Sequence, residues 1–201
     1  MGAAALASVA VVLSSCGGSG GSPKRARAGV GTDATHLVSN PPGKHPHGVR
    51  ADCSMRSEAR FPGAFADPRN VVIGPLVLVG GAESTSPSEI HRLGGQKFPL
   101  LLKAGHTATV QVVGSARTFA GLGYIPRSYG GRTLRDSNQT ITFVSCRTNE
   151  TSGSSADGAP VTFWAGFVVA TTPICVPLDI YVDRQPSPRR AALSLGALCR
   201  H

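Results

Sequence analysis

Four sets of side chains in this 201-residue chain are chemically capable: cysteines, histidines, one G-x-S-x-G match, and a run of arginines interleaved with tyrosines. The five cysteines are Cys16, Cys53, Cys146, Cys175 and Cys199. None forms a C-x-x-C pair and they lie far apart, so they do not read as a zinc set. The histidines are His36, His45, His47, His91, His106 and His201, and no H-E-x-x-H occurs among them. Gly17-Gly18-Ser19-Gly20-Gly21 matches the nucleophile elbow in letters only. That motif works at a tight strand-to-helix turn, and here it sits in low-complexity sequence with no strand before it. No serine has a lysine three residues later, and no phosphate-binding glycine loop is present. No metal or cofactor is therefore expected. The hydrolase chemistry left open is a Ser-His-Asp set gathered from distant residues.

The fourth set is "RTFAGLGYIPRSYGGRTLRDSNQ", residues 117–139. Arginine forks onto oxyanions and tyrosine stacks on flat faces, so the pair suits polyanion or sugar binding. The expected ligand-binding residues are Arg117, Tyr124, Arg127, Tyr129, Arg132 and Arg135, with Phe119 among them. Glycines at 121, 123, 130 and 131 and Pro126 suggest a long strand-loop segment. Twenty basic residues against eleven acidic give a net charge of +9. Such a charge draws anionic partners: lipid head groups, wall polymers or acidic glycans. The same excess arises from composition alone in a chain rich in Arg, Ala, Gly and Pro, as high-GC codons favour. No nucleic-acid recognition motif accompanies the charge, so nucleic acid is not an expected partner.

Residues 3–13, "AAALASVAVVL", form an apolar run. It is too short to span a ~30 Å hydrocarbon core and has the length of a signal-peptide h-region. Leu13-Ser14-Ser15-Cys16 follows directly and resembles the lipobox of bacterial lipoproteins. The resemblance implies a signal peptide over residues 1–15, with Cys16 acylated on sulfur and becoming the first residue after cleavage. It also implies an extracytoplasmic, membrane-anchored location. No Lys or Arg lies between Met1 and the apolar run, a departure from the usual pattern. Residues 16–48, rich in Gly, Ser and Pro, read as a flexible tether. Its Lys24, Arg25 and Arg27 lie where anionic head groups would attract them at about 1 kcal/mol each.

Export implies an oxidising compartment. Cys53, Cys146, Cys175 and Cys199 are an even number and suggest two disulfides, with three possible connectivities. "CVPLDIYV" (175–182) and "RAALSLGALC" (190–199) read as strands around the turn "DRQPSPR". Cys175 and Cys199 are nearly symmetric about that turn and would face each other in a hairpin. Cys53 then pairs with Cys146. Chain entropy makes the shorter loop worth about 3 kcal/mol and the longer about 4–5 kcal/mol.

Residues 49–201 suit one domain with a single core. Strand-like runs are "NVVIGPLVLVGG" (70–81), "FPLLLKAG" (98–105), "TATVQVVG" (107–114), "TITFVSCR" (140–147) and "VTFWAGFVVA" (161–170). The second and third flank "AGHT" and predict a hairpin. Only "SPSEIHRLGG" (86–95) reads as a helix, with Ser86 or Ser88 as N-cap and Gly94 as stop. Short strands between turn clusters predict an all-β, antiparallel sandwich with one short helix. With "GPLVLVGG", "KAGHTATVQV", "CVPLDIYVD" and the terminal "LGALC", the body resembles the small secreted or lipid-anchored domains of high-GC Gram-positive bacteria. No activity comes with that resemblance. The expectation is a lipid-anchored binding module for an acidic envelope component, and the alternative is an envelope hydrolase with a site assembled from loops.

Cys16→Ala is expected to move the protein from the detergent phase to the aqueous phase of a temperature-induced partition. Unchanged partitioning would contradict the acylation of Cys16.

Overall fold

The computed structural model describes residues 46–126, 133–150 and 154–199. Among them the strands are, in chain order, β1 Val49–Ala51, β2 Val71–Ile73, β3 Leu76–Leu78, β4 Gly95–Lys97, β5 Leu100–Lys103, β6 Thr107–Val112, β7 Ala120–Gly123, β8 Thr140–Val144, β9 Ser155–Ala156, β10 Ala159–Trp164, β11 Phe167–Ala170, β12 Ile174–Val182 and β13 Arg189–Leu195. The fold is all-β. One sheet has the order β1-β8-β6-β12-β13, a second β2-β3-β5-β10-β9, and a third β4-β11-β7. Every strand pair is antiparallel except β1 with β8.

Sequence pattern decides which sheet a strand joins. In β12, Val176, Leu178, Ile180 and Val182 are buried while the intervening residues are partly exposed. That alternation fits a sheet with one face on the core. The strand β3 and the first three residues of β5 instead read as unbroken apolar runs, and all of Leu76–Leu78 and Leu100–Leu102 are buried. Leu76, Leu78, Leu100 and Leu102 join the main core shared by the three sheets. Val77 and Leu101 face the other way, into a smaller cluster with Val161 and Phe163. Residues 59–65 cover that cluster, Phe61 meeting Phe163 edge-on with ring centres 4.9 Å apart. The Asp157 carboxylate holds the cover by accepting the backbone N–H groups of Gly63 and Phe65. Each fully buried Leu or Val is worth about 1.5–3 kcal/mol, so this second layer adds several such contributions.

The expected hairpin over residues 98–114 does not form. The Leu100–Leu102 run of β5 needs neighbours and cover on both faces, and β5 lies between β3 and β10. The alternating β6 lies in the other sheet, between β8 and β12. Residues 104–106 carry the chain across, with Gly105 at φ +82° and its N–H donating to the Cys146 carbonyl. The run 70–81 is likewise two strands, turned at Gly74-Pro75. The run 161–170 divides at Ala165-Gly166 into β10 and β11, which belong to different sheets. The helix is as expected: α1 spans Pro87–Leu93, Ser86 accepts from the Glu89 N–H, and Gly94 ends it at φ +69°.

Cys53 is bonded to Cys146 and Cys175 to Cys199. The second pair arises differently from the expected register. In the β12–β13 ladder Cys175 stands opposite Ser194, not Cys199. Beyond Leu195 the chain turns at Gly196, φ +71°, and returns Cys199 to Cys175, with the Cys199 N–H on the Ser194 hydroxyl. Positive φ is open to glycine at no steric cost, which fits that residue at the turn.

At the centre Trp164, Phe143 and Tyr124 stack edge to face, Trp164–Phe143 and Phe143–Tyr124 centres each 5.2 Å apart. Gly166 makes room for them: a Cβ there would lie 1.9 Å from a Tyr124 ring carbon. Gly166→Ala is therefore expected to cost about 3 kcal/mol or to prevent folding, read by urea denaturation. Gly105→Ala meets no atom within 4 Å but sits at positive φ, so its expected cost is about 1 kcal/mol.

Candidate functional site

The basic segment leaves β6 through Gly114, φ +64°, into a 3-10 turn over Gly114–Thr118 that carries Arg117. The Thr118 hydroxyl closes the turn on the Ser115 carbonyl. After Phe119 the chain enters β7. A second 3-10 turn, Leu134–Asp136, carries Arg135 and is capped by Thr133, whose hydroxyl accepts from the Asp136 N–H. Both turns are fastened along β7. The Gln139 amide donates to the carbonyls of Arg117 and Ala120 at 3.0 and 2.9 Å, while its own Oε1 is buried without a partner. Asn138 pairs with Leu122, and Gly121 lies so close to Ser137 that a Cβ would fall 1.9 Å from its Oγ.

The two turns present Arg117 and Arg135 to solvent, and Phe119 keeps 43 % of its surface exposed. Among the described residues no carboxylate is within ion-pair distance of either guanidinium. The Asp136 carboxylate next to Arg135 accepts the Thr133 hydroxyl at 2.5 Å. Arg69 shows the contrasting case: its Nη2 lies 2.6 Å from Asp67, and this bond lowers the Asp67 pKa to about 2. Its stabilising contribution is present at neutral pH, declines below pH 3.8 and is lost as the carboxylate is protonated through about 2. Arg69 is committed; Arg117 and Arg135 are available to an anion.

Tyr124 does not belong to this surface, contrary to the sequence-based expectation. It is buried at 1 % exposure, its ring against Phe143 and its hydroxyl donating to the Phe98 carbonyl at 2.7 Å. A tyrosine between two glycines and a proline reads as a loop residue, yet β7 carries it into the core. Phe119 takes the exposed aromatic place. Arg127, Tyr129 and Arg132 lie outside the described residues, as does Cys16. Gln139, the side chain that fastens the first turn, had no signal in the sequence.

A second constellation tests the hydrolase alternative. His106 Nδ1, just before β6, lies 2.9 Å from Asp183 Oδ2, just after β12, and Ser145 is beside them. The composition is that of a nucleophilic triad, but the connections are not. The Ser145 hydroxyl accepts from the His106 backbone N–H and donates to the His106 carbonyl, both at 2.9 Å. The hydroxyl proton is thus given to a carbonyl and not to the imidazole that would have to remove it. Asp183 also accepts from the Thr107 N–H at 2.9 Å, and its backbone returns a bond to the Thr107 carbonyl. The group is a clamp: it fixes the crossing at residues 104–106 to the end of β12. His91 is exposed on α1, and no three His, Cys, Asp or Glu among the described residues are placed to hold a metal ion.

Asp183 sits at φ +51°, a region that Asp and Asn enter more readily than other non-glycine residues. Asp183→Asn is expected to retain most of the stability. Asp183→Ala, which loses both accepted bonds, is expected to cost about 1–2 kcal/mol by chemical denaturation. Equal stability of the two variants would remove the clamp role.

No family model, curated protein or solved structure matches the chain.

Proposed function

We propose that this protein is a lipid-anchored, extracytoplasmic binding module that takes an anionic component of the cell envelope on the surface carried by its two 3-10 turns. The reading rests on Arg117 and Arg135, exposed and, among the described residues, without carboxylate partners, in the two turns fastened along β7, and on the exposed Phe119 just before that strand. Guanidinium groups fork onto phosphate or carboxylate oxygens, and a partly exposed phenyl ring packs against the apolar face of a sugar or an acyl glycerol. The net charge of +9 draws such a ligand from a distance, and a tether beginning at Cys16 would hold the domain within reach of it. The hydrolase alternative loses support because Ser145 and His106 are bonded through backbone rather than through the imidazole.

The test uses the chain from residue 17 onward with two probes: a phosphate-rich wall polymer and vesicles containing phosphatidylglycerol. Arg117→Glu with Arg135→Glu is expected to weaken binding to the preferred probe about tenfold in low salt. The loss should shrink as salt rises, because exposed charges are screened within about 10 Å at 0.1 M. Arg147→Glu with Arg184→Glu makes the same change in net charge elsewhere. Equal losses from both pairs would show that charge alone drives binding, and binding to neither probe would reject the reading.

A further inference from the structure

β13 is the last strand of its sheet, paired with β12 from Ile174↔Leu195 to Ile180↔Arg189. Among the described residues no strand pairs with its other side. Alternate N–H and C=O groups of seven residues therefore point sideways, unused. Along this edge runs a lateral groove of about 310 Å³, lined from β13 and also by Val71 and Ile73 of β2, the edge strand of the second sheet. A Cβ on Gly81 would lie 3.0 Å from both Leu193 of β13 and Val71 of β2, so the two edges converge there. On the β13 side the groove is lined by Ala191 and Ala192, too small to shield the backbone behind them. Leu198 lies at the rim with 79 % of its surface exposed, held there by the Gly196 turn and the Cys175–Cys199 bond.

Charge marks one end of this edge. Arg189 and Arg190 stand side by side at the start of β13, both exposed. Arg190 has one carboxylate nearby, Asp179 at 3.9 Å from its Nε, and Arg189 has none within ion-pair distance among the described residues. A second copy of the chain would bring another +9 to the same edge, which disfavours self-pairing.

We propose that the groove receives an extended segment of a partner protein, added antiparallel to β13, with small or β-branched side chains along its length and acidic residues at its C-terminal end. Main-chain hydrogen bonds to β13 supply the general attraction, the apolar groove takes alternate side chains, and the two arginines fix polarity and direction. In antiparallel addition the C-terminal end of the guest lies opposite Arg189, which is why the acids belong there. This surface is separate from the basic turns on β7 and stands whether or not those bind an envelope polymer.

The probe is a fluorescein-labelled peptide, Val-Thr-Val-Thr-Val-Glu-Glu, titrated by anisotropy against the full chain in neutral detergent micelles. The expected result is saturable binding, weakened at least tenfold when the two acids are replaced by lysines. Moving the acids to the N-terminal end should weaken it similarly. Proline at the central valine, which removes a main-chain donor, should abolish it. Arg189→Glu with Arg190→Glu should invert the preference, so that the lysine peptide binds better than the acidic one. Leu198→Ser, on the rim and outside the core, provides a second variant and should weaken all peptides alike. Absence of saturable binding, equal binding of acidic and basic peptides, or full binding of the proline peptide would each overturn the proposal. So would a stable dimer in sedimentation that excess peptide leaves intact, since a second copy would then own the edge.

Discussion

The edge-to-face series Trp164, Phe143, Tyr124 is the contact on which the rest of the structure depends. Trp164 belongs to the second sheet, Phe143 to the first, and Tyr124 follows β7 of the third, so three rings join three sheets. Aromatic pairs in this geometry add about 0.5–1.5 kcal/mol beyond the area they bury. The larger effect lies in their polar atoms, which would be costly to bury unpaired. Trp164 Nε1 donates to the Asp52 carbonyl at 3.1 Å, and Tyr124 donates to the Phe98 carbonyl. Asp52 precedes Cys53, whose partner Cys146 donates its N–H to Thr162, two residues from Trp164. The disulfide and the indole thus secure the same leading segment to the same pair of strands from two sides. The basic turns inherit their position from this arrangement, because the β7 that fastens them is the strand leading into Tyr124.

Strand content and the helix were legible in the sequence because each has a local cause. Ser86, Glu89 and Gly94 mark the helix ends with capping chemistry that needs no tertiary partner. The alternation in β12 needs only a core on one side. Pairing was less legible. A tight turn between two apolar runs usually makes a hairpin, and at residues 104–106 it does not, because Leu101 requires cover that a one-sided hairpin would not give it. Two-sided burial appears in the sequence only as an unbroken apolar run, which also describes a single long strand. The disulfide partners were correct, while the register used to infer one of them was displaced by the Gly196 turn. The basic surface was half legible: arginines and aromatics cluster visibly, but which aromatic faces solvent depends on Gly166, forty-odd residues downstream of Tyr124, leaving space for one ring.

Charge in this molecule divides by partner. Asp157 and Asp183 are used on backbone N–H groups, and Asp67 on Arg69. With eleven acids against twenty bases, structural duties consume a notable share of the carboxylates. Among the described residues, Arg117, Arg135 and Arg189 have no carboxylate within ion-pair distance, and both places, beside β7 and at the start of β13, also present exposed apolar groups. A uniform basic excess would attract any polyanion. Arginines placed beside Phe119 in one case and beside a bare strand edge and Leu198 in the other would distinguish a polymer from a peptide.

The crossing at residues 104–106 also bears on the order in which the molecule can assemble. Because β5 and β6 are consecutive yet belong to different sheets, neither can close with its neighbour in sequence. β5 can pair early with β3 but has no partner on its other edge until β10, and β6 must wait for β8 and β12. Its pairings are non-local, and loop closure over such separations slows folding. A chain delivered N-terminus first, from a ribosome or through a membrane pore, can therefore pair β2, β3 and β5 early, but β1, β4 and β6 have no strand partners until β8, β11 and β12 have emerged. Its early apolar strands depend in the meantime on whatever binds unfolded chain in that compartment.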